Sequence, residues 1–154
     1  GNMLMSLKSS ASLRGLTFLD ASNNSLTGLE PLLAGMLSQL KVLILAGNQI
    51  EHADDVCAAL ARAGSLCIEH LDLRDNPVNL AFYASPHLMP QWTWDASRTL
   101  ADLEPLGELL DAQTRAARDQ YRARLLALCP GLLSLDGTLT TPSTPAAEAA
   151  AFQA

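Results

Sequence analysis

An eleven-residue segment recurs three times along this 154-residue chain, and the recurrence limits the fold more than any other feature. Leu16-Thr17-Phe18-Leu19-Asp20-Ala21-Ser22-Asn23-Asn24-Ser25-Leu26 aligns with Leu40-Lys41-Val42-Leu43-Ile44-Leu45-Ala46-Gly47-Asn48-Gln49-Ile50. A third copy is Ile68-Glu69-His70-Leu71-Asp72-Leu73-Arg74-Asp75-Asn76-Pro77-Val78. All follow LxxLxLxxNxL, with Ala21, Ile50, Ile68 and Val78 in place of leucines, and they begin 24 and 28 residues apart, at 16, 40 and 68.

Each position has a physical reason. Alternate side chains of a strand point to opposite faces. Leu19 and Ala21, Leu43 and Leu45, and Leu71 and Leu73 are therefore expected to share the core side. Asn24, Asn48 and Asn76 end the strands, where short amides bond neighbouring backbone and form a ladder between repeats. The return segments read as helices. Glu30 to Leu37 places Pro31 in a first turn. Ala53 to Gly64 has acids early, Arg62 late and a glycine at its end, which suits the helix dipole and a C-terminal stop. Stacked strand–turn–helix units predict an α/β solenoid, with a short parallel sheet on its concave side and helices on its convex side. Residues 1–15 are too few for a full repeat; Met3, Leu4, Leu7 and Leu13 are expected to form an N-terminal cap or a truncated repeat. Residues 16–78 hold the three repeats.

The segment Tyr121-Arg122-Ala123-Arg124-Leu125-Leu126-Ala127-Leu128-Cys129-Pro130-Gly131-Leu132-Leu133-Ser134-Leu135-Asp136-Gly137 reads as a helix end, a proline stop and one last strand, PxLxxLDG. With Asp72 to Val78 it resembles the pattern "LxLxxNPV … YRxxLLxLxPxLxxLDG" of intracellular, SDS22-like leucine-rich-repeat proteins. Axonemal dynein light chain, centrosomal and ciliary repeat proteins, the spliceosomal A-prime protein and messenger-RNA export receptors carry that pattern. The resemblance covers roughly residues 13–140 and implies a helical C-terminal cap over 99–137. It also implies a protein-binding scaffold in the cytoplasm, at cytoskeletal, centrosomal or ciliary structures. The alternative is a ribonucleoprotein adaptor of splicing or messenger-RNA export, in the nucleus.

The chain departs from that pattern between Val78 and Tyr121, where a short link is replaced by some forty residues. Most of 99–128 reads as helix from its leucine spacing, begun or kinked at Pro105. Residues 79–98 form an insertion in which Phe82, Tyr83, Trp92 and Trp94 gather four of the seven aromatic residues. Such rings dominate interface hot spots, so Trp92 and Trp94 are candidate partner contacts; the alternative is that they pack over the last repeat. Residues 138–154, rich in Thr, Pro and Ala, read as a flexible tail.

Composition narrows the function. The net charge of −6 repels phosphate backbones and anionic lipid, so nucleic acid and membrane partners are not expected. Arg115, Arg118, Arg122 and Arg124 interleave with Asp111 and Asp119 and read as a solvated helix face. No apolar run is long enough for a membrane span. Gly1-Asn2-Met3 does not open like a signal peptide, and a glycine ahead of an internal methionine suits a piece of a longer chain. Cys57, Cys67 and Cys129 have no disulfide or metal spacing and read as buried thiols of a reducing compartment. His87 stands alone, and no phosphate loop or nucleophile–base arrangement is present. Neither cofactor, metal nor catalysis is expected.

The outward strand positions are the candidate site. One row is Phe18, Val42, His70 and Ser134; the next is Asp20, Ile44, Asp72 and Asp136; a third is Ser22, Ala46 and Arg74. Solvent-facing strand positions are normally polar. Phe18, Val42 and Ile44 break that rule side by side, rimmed by Asp20, Lys41, Asp72 and Arg74, as in a protein interface core. Scattered exposed apolar residues are the plainer account. A second copy of the chain would suit such a face as well as a different protein.

Overall fold

The computed structural model describes residues 15–29, 39–62, 67–83 and 110–140. Five short strands form one sheet in chain order: β1 (Phe18–Asp20), β2 (Val42–Ile44), β3 (His70–Asp72), β4 (Ser134–Leu135) and β5 (Thr138–Leu139). The first four are parallel neighbours; β5 is antiparallel to β4. Among the described residues two helices join them, α1 (Ala53–Arg62) and α2 (Ala112–Leu128), and pack on each other. The fold is α/β, with a mostly parallel sheet.

The core lies where the repeat pattern puts it. Leu43, Leu45, Leu71, Leu73 and Leu135 are fully buried, in one cluster with Val56, Ala59 and Leu60 of α1 and Tyr121 and Leu125 of α2. Spacings of three and four residues put each helical set on one face. Asp54 and Asp55 open α1 and Arg62 closes it, favourable to the helix dipole.

The asparagines tie neighbouring strands together. Asn48 Nδ2 donates to the Ala21 and Leu45 carbonyls, and its Oδ1 accepts the Leu26 N–H. Asn76 repeats this one unit on, with Leu45 O, Leu73 O and the Ile50 N–H. The residue before each ladder asparagine has positive φ: Asn23 at 54°, Gly47 at 68° and Asp75 at 60°. Asn, Asp and Gly tolerate that region. A Cβ on Gly47 would also lie 2.5 Å from Asn23 Oδ1. Gly47→Ala is expected to cost about 1–2 kcal/mol and to lower the thermal midpoint by several degrees, read by calorimetry. An unchanged midpoint would contradict this account.

Several expectations are corrected. Helix does not run through 110–111: Asp111 is extended (φ −63°, ψ 160°) and caps α2, its carboxylate accepting the Thr114 N–H at 2.9 Å. Thr138 and Leu139, read as the start of a flexible tail, form β5, because Asp136 (φ 53°) and Gly137 (φ 76°) make a two-residue hairpin turn. Arg118 and Arg122 are buried, not solvated; Arg122 Nη1 donates to Leu135 O. Cys129 is buried and Cys57 half-buried, but Cys67 is exposed, since it precedes the strand outside the core. The helix expected over 30–37, most of the 79–98 insertion, the 99–109 stretch and residues 141–154 lie outside the described residues.

Candidate partner-binding face

The parallel register sets the outward rows. Phe18 lies opposite Val42, Val42 opposite His70, and His70 opposite Ser134. Asp20, Ile44 and Asp72 form the neighbouring row. Because the central leucine of each strand is committed to the core, its flanking residues are turned to the other face. Phe18 is 44% exposed, and Val42 and Ile44 are half-buried beside it. His70 Nδ1 and Ser134 Oγ share a hydrogen bond of 2.8 Å.

Charges on this face are partly matched within the chain. Arg74 folds back on Asp72, with Nε 3.0 Å from Oδ1 and Nη2 2.7 Å from Oδ2. This bidentate pair leaves Asp72 only 7% exposed, more buried than a solvent-facing position should be. Lys41 Nζ meets Glu69 Oε1 at 2.8 Å. That contact raises the lysine pKa and lowers the glutamate's, but both are exposed, so it adds little stability. Asp20 is exposed, and its Oδ1 accepts the Ser22 N–H at 2.9 Å. Asp20, Ser22 and Asn23 on one side and Asp72 and Arg74 on the other border a depression of about 170 Å³ floored by Ile44.

Asp136 is not where the outward row predicts. Its positive φ turns the chain away after Leu135, and the carboxylate points inward, 1% exposed. The Ala21 N–H bonds Ile44 O and the Leu45 N–H bonds Asp72 O; at the same step of β3 the Leu73 N–H bonds Asp136 Oδ1 at 2.8 Å. The carboxylate thus takes the place of a strand carbonyl that the hairpin removes. Its Oδ2 accepts from Tyr83 Oη at 2.6 Å and Tyr121 Oη at 3.1 Å. Burial, then the neighbouring Asp72 carboxylate, pushes its pKa up to about 6. Burial likewise drives both tyrosines well above the usual phenol value. This network closes the sheet rather than offering groups to a ligand. The Asp-Gly pair is the signal that would have revealed it.

Trp92 and Trp94 lie outside the described residues. Among the described residues no three His, Cys, Asp or Glu side chains gather as metal ligands, and no helix is long and apolar enough to cross a membrane.

Comparison with known proteins bears on the repeat. The chain is 30% identical over 160 aligned positions to the septation initiation network scaffold protein cdc11 of Schizosaccharomyces pombe. The match takes in 88% of this chain but spans only 14% of that protein's length. Residues 15–36 match the Leucine Rich Repeat family model, so a leucine-rich repeat is present there.

Proposed function

We propose that this chain is a non-catalytic protein-interaction module, a scaffold or adaptor, whose partner sits on the outward face of β1–β3. On this reading the repeats of 16–78 curve as a solenoid with the sheet concave and the helices convex. Residues 99–137 close it as a cap of the SDS22-like kind, and Trp92 and Trp94 add a second contact from the insertion. The observation that carries the reading is the apolar row Phe18–Val42, continued by Ile44, on a face otherwise bordered by Asp20 and the Asp72–Arg74 pair. A relative named as a septation network scaffold supports a scaffolding role, and with the sequence resemblance it favours a cytoplasmic, cytoskeletal setting. A ribonucleoprotein role is disfavoured: Lys41 and Arg74 are each paired with an acid, and the net charge is −6.

The test is affinity capture from cell extract with wild type, Ile44→Asp and Trp92→Ala, each checked for an unchanged thermal midpoint. Ile44→Asp places a charge at the centre of the face and is expected to weaken capture about thirtyfold or more. Capture unaltered by Ile44→Asp would overturn the reading, and loss confined to Trp92→Ala would move the site to the insertion.

A further inference from the structure

The first and third repeats carry the same aspartate in the same backbone setting, but with different partners. Asp72 Oδ1 accepts the N–H two residues on, from Arg74, at 3.1 Å, and the Arg74 guanidinium then covers both carboxylate oxygens. Asp20 Oδ1 accepts the N–H two residues on, from Ser22, at 2.9 Å. Serine there is too short to return to the carboxylate. Among the described residues no cation takes the guanidinium's part, and Asp20 is exposed. Asp20 and Asp72 flank Ile44 on adjacent strands and border the same depression of about 170 Å³. Arg74 already neutralises Asp72, so Asp20 leaves this depression acidic.

We propose that Asp20 binds an arginine of the protein partner, which supplies in trans the guanidinium that Arg74 supplies in cis to Asp72. The arginine stem lies along Ile44, and an adjacent apolar residue of the partner meets Phe18 and Val42. The planar fork suits a carboxylate held by a backbone N–H, whereas a lysine would offer only a point charge. The net charge of −6 attracts such a basic segment to the chain.

This inference rests on the face being the partner site, so its test is independent of capture. The full chain, isotopically labelled, is titrated with Nα-acetyl-arginine methylamide and, separately, with the isosteric but uncharged citrulline compound, following backbone amide resonances. Saturable shifts at the Ser22 and Gly47 amides are expected, with a dissociation constant on the order of 10 mM. The citrulline compound is expected to bind at least about fivefold more weakly, and Asp20→Asn to abolish the response while the rest of the spectrum is kept. An equal response to citrulline, a response surviving Asp20→Asn, or none up to about 50 mM overturns the arginine assignment. If Ile44→Asp still loses the partner in that event, the face reading stands and only its arginine subsite falls.

Discussion

Asn76→Ala is expected to cost about 2–4 kcal/mol, among the largest effects of any single polar substitution in this chain. The side chain is fully buried and serves two neighbouring repeats. Its Nδ2 donates to Leu45 O and Leu73 O, but both carbonyls keep a second donor, from Asn48 and Asn79. The loss therefore concentrates on the Ile50 N–H, which bonds Asn76 Oδ1 at 3.0 Å and would be left buried without an acceptor. Gln49→Ala, one residue away and exposed, is expected to change stability by less than about 0.5 kcal/mol. Urea denaturation measures both variants. Hydrogen exchange separates the cause: protection should fall at the Ile50 amide but persist at Gln49, whose N–H bonds Leu26 O. A cost below about 1 kcal/mol, or equal loss of protection at both amides, would refute the ladder account.

How far the chain could be read without coordinates follows from the range of its determinants. Leu43, Leu71 and their counterparts were legible because strand alternation is local and repeats three times, so register came with it. The outward placement of Phe18, Val42, Ile44 and His70 followed from the same alternation. What escaped depends on single residues in particular backbone states. Asp136 belongs by spacing to the outward row with Ile44 and Asp72, yet its left-handed conformation before Gly137 turns it inward. Arg118 and Arg122 share a helix with Asp119 and look like a surface pattern, but both are buried, and Arg122 donates to the Leu135 carbonyl of β4. Asp72 was legible as outward but not as covered, because its cover is the rotamer of Arg74.

Asp136→Ala is expected to cost about 3–5 kcal/mol at pH 5, because the Leu73 N–H and the hydroxyls of Tyr83 and Tyr121 lose their shared hydrogen-bond partner together. The same carboxylate gives stability an unusual pH dependence. Its pKa is about 6 in the folded chain against an ordinary 3.8, chiefly through burial and then through repulsion from Asp72. The folded state therefore binds the proton more tightly than the unfolded chain does. Its contribution is fully present below about pH 4 and is lost as pH rises through about 6, by up to about 3 kcal/mol. Arg122 and the Tyr83 hydroxyl stabilise the ionised form and oppose part of this shift. Glu69 and Asp111 shift the other way, but both are exposed. Subtracting Asp136→Asn isolates the buried group: the neutral amide keeps an acceptor for Leu73 but does not titrate. Between pH 4.5 and 7, wild type should lose stability relative to Asp136→Asn, measured as urea midpoints at each pH. An unchanged difference across that range would mean that Asp136 is ionised throughout, and the Ala variant would then be expected to cost the same at both ends.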